Sequence, residues 1–349
     1  MPVSSPTQQS TVRVSEDPLR SYHQEMLKPT KTATTAASVT ENKPSYILLS
    51  WRECEEASKT MVRGAAAVEG SRVYVNPGRH HSVYAYNVGE EKWSPLAECP
   101  HRDCGLAVIN GLLTAVGGVV MAANTIEVTD ALVSLVGIGK GKWVKRFPPM
   151  TTKRTLPAVV ATELYLVVAG GNGRYQGDKL ASVEVMTFSS KQWLTAIDLP
   201  MPASRMSMTQ CGDDLYMLGG WIEITTKTQQ VLTCSLATLV QLCETQPRFT
   251  PSGVWQRVAD VPEYQSTCTT LQGALVSVGG CDDDWNPTDV IHRYNPVTNS
   301  WHVIGHVPTA RYQSLVVTLP GDRLMVVGGY TTSEVSSETD VVEIASVVQ

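Results

Sequence analysis

The sequence predicts an all-β fold, a closed six-bladed β-propeller with four antiparallel strands per blade, on three observations. A β-patterned run ending in a glycine pair or its remnant recurs six times, and five of the copies are followed by a second such run and then a tryptophan. The sixth copy has no tryptophan after it, while "ILLSWRECEE" (47–56) carries one with no strands before it. A four-stranded unit repeated about every 50 residues is the signature of a propeller blade.

Taken in order along the chain, residues 1–45 ("SSPTQQSTVRVSEDP", "KPTKTATTAASVTENKPS") hold too few apolar side chains to offset the entropy of ordering, and a disordered tail is expected there. The stretch around Trp51 is expected to supply the missing fourth strand of the last blade. That pairing would join the chain ends and remove two exposed sheet edges. The glycine-closed runs that follow are "SRVYVNPG" (71–78), "GLLTAVGG" (111–118), "ELYLVVAGG" (163–171), "DLYMLGG" (214–220), "ALVSVGG" (274–280) and "RLMVVGG" (323–329). The first is degenerate, with Asn76-Pro77-Gly78 in place of Gly-Gly. Upstream of each lies another apolar run ("GAAAVEG", "CGLAVING", "SLVVTLPG") closed by the Gly, Asp or Pro of a tight hairpin. Downstream, the aromatic-ended runs reach Trp93, Trp143, Trp193, Trp255 and Trp301. The segment 233–255 lengthens the fourth unit before its tryptophan and is expected as a longer hairpin on the face opposite the glycine loops. Residues 46–349 are thus expected to form the propeller.

The glycine pairs, together with "YNPVTNSW" (294–301), are similar to the kelch repeat, and the similarity runs from 46 to 349. The resemblance implies a closed propeller whose loops bind a partner on one face. Kelch domains often form the substrate-recognition half of ubiquitin-ligase adaptors that carry a BTB domain. No BTB-sized segment precedes the propeller in this chain, so such a role would need another chain for the ligase contact.

Counting back from each glycine pair aligns Arg63, Arg102, Arg154, Arg205, Tyr264 and Arg311 as equivalent positions leading into the blades. In peptide-binding kelch domains, an arginine at this point resembles one that contacts acidic side chains. A guanidinium grips carboxylate or phosphate bidentately and stacks on aromatic faces. Two readings stand: a ring that binds an acidic or phosphorylated segment, or one that lines the channel. The loops after the glycine pairs add four aromatic residues, Tyr175, Trp221, Trp285 and Tyr330, as candidate anchors of an interface.

Composition limits the alternatives. A net charge of −5 without a Lys/Arg block lacks the footprint of nucleic-acid binding, and no apolar run is long enough to span a bilayer. Eight irregularly spaced cysteines and no signal sequence point to reduced thiols and a cytoplasmic protein. His80, His81 and His101 do not complete a metal site, "CDDDWNPTD" (281–289) lacks the glycine and terminal glutamate of a calcium loop, and no catalytic set or cofactor motif is present. The sequence therefore reads as a non-enzymatic module for a protein partner. A kelch-type enzyme (metal oxidase or sugar mutarotase) and a cytoskeletal, actin-associated role are the alternatives.

Overall fold

The computed structural model describes residues 47–348 except 48, 55–63, 123–124, 138–140, 224–225, 246–252 and 335–337. The expected tail at 1–45 and Arg63 lie outside the described residues. Alternation of apolar and polar side chains, punctuated by Gly and Asn turns, produces six four-stranded antiparallel sheets. Blade 1 comprises strands Ala65–Glu69, Arg72–Asn76, Tyr84–Asn87 and Lys92–Pro95, and blade 2 comprises Gly105–Ile109, Leu112–Val116, Leu132–Val136 and Lys142–Val144. Blade 3 is built from Ala158–Ala161, Tyr165–Ala169, Val183–Thr187 and Trp193–Thr195, and blade 4 from Ser207–Cys211, Asp214–Leu218, Val231–Ser235 and Gln256–Val258. Blade 5 uses Thr267–Leu271, Ala274–Val278, Val290–Asn295 and Ser300–His306. Blade 6 has Leu315–Leu319, Arg323–Val327 and Val342–Val347, and its fourth strand is Leu49–Glu53. First strands of successive blades touch one another in turn, and blade 6 touches blade 1, so the ring closes.

Closure is made as the sequence predicts. Leu49–Glu53 pairs antiparallel with Val342–Val347, Trp51 opposite Ala345, so the first and last strands of the propeller share one sheet. Trp51 packs with Ile47 and Leu49 against the apolar layer between blades 5 and 6.

The repeated tryptophans latch blade to blade. In blades 2 to 5 the indole N–H donates to a carbonyl just past the fourth strand of the preceding blade: Trp143 to Ala97 (2.9 Å), Trp193 to Pro148 (2.9 Å), Trp255 to Ile197 (3.0 Å) and Trp301 to Ala259 (2.9 Å). The rings fill the space between sheets, and Trp93 and Trp301 pack at a tilt against Tyr86 (5.0 Å) and Tyr294 (5.2 Å) of their own blades.

The glycine pairs are required by a close approach on both sides. In blade 2 a Cβ on Gly117 (φ +62°) would lie 2.5 Å from the Arg154 carbonyl oxygen of blade 3. One on Gly118 (φ +99°) would lie 2.5 Å from the Arg102 carbonyl oxygen of its own blade. Gly118 N–H then donates to Arg154 O (2.8 Å), stitching neighbouring blades at the rim of the channel.

Two local features differ from a plain repeat. The loop after Gly118 folds into an extra hairpin, Val119–Ala122 with Thr125–Val128. The 233–255 insertion carries a helix, Leu236–Thr245, rather than a longer hairpin. Ser235 Oγ caps it by accepting from Thr238 N (3.4 Å), and Leu239, Val240 and Cys243 are buried against blades 3 and 4. Leu236 N–H donates to Asp213 O in the first hairpin turn of blade 4, which sets the helix on the face opposite the glycine loops. All eight cysteines are free thiols.

Candidate functional site on the glycine-loop face

Short bridges between the segments leading into blades 2 to 6 and the loop after each glycine pair give a structural alignment: Arg102 with Val119, Thr155 with Asn172, Ser204 with Trp221, Tyr264 with Cys281 and Tyr312 with Tyr330. One residue further on, Asp103, Leu156, Arg205, Gln265 and Gln313 all have φ between +49° and +56°. These left-handed residues are linked around the channel mouth, with Leu156 N–H donating to Asp103 O, Arg205 N–H to Leu156 O and Gln313 N–H to Gln265 O.

The arginines expected at one equivalent position therefore occupy three. Arg102 and Tyr264 sit at the bridged position, Arg205 sits one residue later, and Arg154 and Arg311 sit one residue earlier. A count back from the glycines that spans 14 to 17 residues lets the register drift, whereas the bridged residue lies 15 before the first glycine in blades 2 to 5 and 16 before it in blade 6.

That single step inverts the role of Arg154 and Arg311. Both are fully buried and face into their blades. Arg154 donates to Gly170 O (2.8 Å), Ser182 O (2.9 Å) and Glu184 Oε1 (2.6 Å); Arg311 donates to Gly328 O (3.0 Å), Val341 O (3.1 Å) and Glu343 Oε2 (2.7 Å). Each clamps the glycine pair to the third strand, and the ring of guanidinium groups around the mouth does not form from these two. Burial lowers the pKa of Arg154 while its ion pair opposes the shift. Burial alone would raise that of Glu184, but hydrogen bonds from Thr151 and Arg154 outweigh it and hold the carboxyl below its ordinary value.

Blade 5 exchanges the two residue types. Glu263 takes the arginine's place and His292 the glutamate's, with Nδ1 and Oε2 3.1 Å apart. In blade 2 the place goes to His101, which is 4% exposed and has Val133 where the glutamate would be. Burial, with Lys145 and His81 adding, pushes the His101 pKa down to about 4 against a backbone hydrogen bond that opposes the shift.

His101 is accordingly neutral in the fold but takes a proton when unfolded at about pH 6.5, so the unfolded state binds more protons between the two values and stability falls as pH drops through that window. The gap amounts to about 3 kcal/mol at pH 4. A His101→Gln variant is expected to lose this part of the acid sensitivity, seen as a flatter slope of unfolding free energy against pH between 6.5 and 4.

The aromatic candidates divide as well. Tyr330 is fully buried, stacked on Tyr312 (5.1 Å) with its hydroxyl donating to Glu338, so it is core rather than anchor. Tyr175 is 42% exposed. Trp221 and Trp285 are half-buried and stacked at 5.7 Å. Tyr264 is half-buried beneath Lys227, whose ammonium lies 4.4 Å from its ring centroid.

What the structure brings together is a cavity of about 720 Å³ over blades 1 to 4 on this face. Its walls include Arg79, Arg102, Lys179 and Arg205, a single acid, Asp103, and Tyr175 and Trp221. Four cations against one anion is a strong local excess in a chain of net charge −5. Burial first, then the nearby Arg205 guanidinium, lower the pKa of Lys179, a sign that the cations crowd one another. Arg205 and Leu156 also line a smaller cavity of about 160 Å³ inside the channel, to which all six blades contribute. The floor holds buried Thr155 and Asn172.

Arg79 and Lys179 were missed as candidates. They lie in "RHHS" (79–82) and "NGRYQGDKL" (172–180), and their signal was simply a basic residue in a loop on the same face as Arg102. In the acidic loop 281–289, Asp282 accepts from Asp284 N, Asn286 N and Asn286 Nδ2, each at 2.9 Å. Among the described residues no cluster of three or more His, Cys, Asp or Glu is placed to hold a metal, and no helix is long and apolar enough to cross a membrane.

Fold and surface together define a six-bladed propeller with a charged cavity on its glycine-loop face. The family model described as "Kelch motif" matches residues 264–307, which is blade 5 with its leading segment. Kelch-like protein 25 of Xenopus tropicalis is 24% identical over 263 residues, covering 70% of this chain and 41% of that protein. The solved structure titled "Structure of YjhT" superposes with a TM-score of 0.67 at 15% identity, covering 83% of this chain and 95% of that one. Blade 5 thus matches the kelch motif and the chain is similar to kelch-repeat β-propellers, and it spans less than half the length of the curated relative it matches.

Proposed function

We propose that this propeller is a protein-interaction module that captures an acidic or phosphorylated segment of a partner in the cavity lined by Arg79, Arg102, Lys179 and Arg205. The observation that carries this reading is the charge of that cavity: four cationic side chains from four successive blades converge around one carboxylate. A rigid scaffold presents them, since the loops and leading segments are tied by backbone bridges on both sides. Guanidinium forks suit carboxylate or phosphate oxygens, and an anion would relieve the mutual repulsion of Lys179 and Arg205. Tyr175 and Trp221 offer apolar contact beside the charges, the composition of an interface hot spot. A substrate-recognition role within a larger assembly and a cytoplasmic setting follow as extensions of the same reading.

Display selection of random dodecapeptides on the full chain tests it. Enrichment of Asp and Glu is expected on the native protein and is expected to vanish on an Arg102→Glu, Lys179→Glu variant that keeps its native circular dichroism. Equal peptide compositions from both proteins would contradict the proposal.

A further inference from the structure

The cationic cavity does not end at Trp221. That indole lines the cavity and also stacks on Trp285, ring centroids 5.7 Å apart and planes at 27°. Trp285 leans in turn on Tyr312 (5.7 Å), and Tyr312 stacks on buried Tyr330 (5.1 Å). A row of aromatic rings thus runs from the buried edge of blade 6 to the wall of the cavity, and its half-buried outer members are Trp221 and Trp285.

The row is held in place before any partner arrives. Trp221 Nε1–H donates to Gln265 Oε1 (3.0 Å), which also accepts from Gln313 Nε2 (2.8 Å). Trp285 sits in the left-handed region (φ +67°), costly for a bulky side chain. Its loop is fixed by the three hydrogen bonds to Asp282 and by Lys227, whose Nζ donates to Asp282 O (2.6 Å) and Asp283 O (3.1 Å). The same ammonium lies 4.3 Å from the centroid of the Trp285 ring. Trp285 is thus held in a left-handed backbone conformation and braced by a cation from the neighbouring blade.

Resting on the reading of the cavity as an acid-binding site, we infer that the Trp221–Trp285 pair is a second subsite of the same surface, and that it takes an aromatic side chain of the bound segment. The partner is then an extended segment that combines acidic residues with a Phe, Tyr or Trp a short distance away. The acids enter the cavity, and the ring stacks on the outer indoles. Flat, near-parallel rings fit an offset-stacked partner, and a pre-ordered platform lowers the entropy cost of binding it.

The test uses dodecapeptides with a central Glu-Glu pair in a Gly/Ser background, with a single Phe walked through the other positions, and with Ala-matched controls. Binding to the full chain is read by calorimetry, and intrinsic tryptophan fluorescence reports on the indoles. At one or two placements, Phe is expected to tighten binding at least tenfold over Ala and to change the fluorescence, and in Trp285→Leu the Phe-to-Ala ratio is expected to fall to within twofold. Phe within twofold of Ala at every placement on the native protein would overturn the subsite while leaving the acid-binding reading intact, a result that does not depend on any variant folding. A gain that survives in Trp285→Leu would overturn its assignment to this pair. Failure of the Ala peptides to bind at all would instead overturn the reading of the cavity, and the subsite with it.

Discussion

Replacing Glu184 by alanine is expected to destabilise the protein by about 3–5 kcal/mol, since removal of one partner leaves a buried charge uncompensated. Arg154 is fully buried, its NH2 lies 2.6 Å from Glu184 Oε1, and the same carboxylate accepts from the backbone N–H groups of Thr151 (2.7 Å) and Thr152 (3.0 Å). Without it, Arg154 keeps only carbonyl and hydroxyl partners, and two backbone donors lose theirs. The double variant Arg154→Met, Glu184→Leu is expected to recover most of the loss, because an apolar pair of similar volume escapes the cost of burying charge. Urea unfolding of the three proteins checks both statements. A loss under 1 kcal/mol for Glu184→Ala would show that the clamp is not what binds the glycine pair to the third strand in blade 3. It would also return Arg154 to the pool of candidate binding residues.

Replacement of Trp301 by alanine is expected to cost about 3–5 kcal/mol. The ring packs at a tilt against Tyr294 between blades 4 and 5, and its N–H donates to Ala259 O (2.9 Å). Trp301→Phe keeps part of the plate and orphans only that carbonyl, so about 1–3 kcal/mol is expected. The ordering Ala worse than Phe worse than native, measured by denaturant unfolding, is the expected result. Equal losses for Ala and Phe would place the effect in the hydrogen bond instead of the plate.

The architecture was legible because a repeat writes its geometry many times. Each glycine pair marks a place where a Cβ would meet a carbonyl, and each tryptophan marks a blade junction. The orphaned Trp51 could only complete the blade that lacked one, and it does.

The site was less legible, and the arginines show why. Arg102 and Arg154 look alike in sequence, yet a one-residue step along the leading segment turns one toward the cavity and the other into the blade. The signal that separates them was present. Glu184 and Glu343 are lone acids in the apolar strands "VEVMT" and "VEIASV", in the two blades where the leading arginine is buried. A lone charge in a buried strand asks for a partner, and the arginine supplies it. In blade 5 the acid, Glu263, sits on the leading segment and an imidazole, His292, sits on the strand. By contrast, Arg79 and Lys179 were signalled only as basic residues in loops on the same face, and the curvature of the ring brings them into one cavity.

The central claim, that the cavity binds acidic segments through its cations, is tested most directly by calorimetric titration of one Glu-rich peptide at several salt concentrations. Native protein is compared with single Arg79→Glu, Arg102→Glu and Lys179→Glu variants. The account predicts affinity that falls steeply with salt on the native protein, and a loss of tenfold or more for each reversal with a shallower salt dependence. Affinity indifferent to both salt and reversal would contradict it.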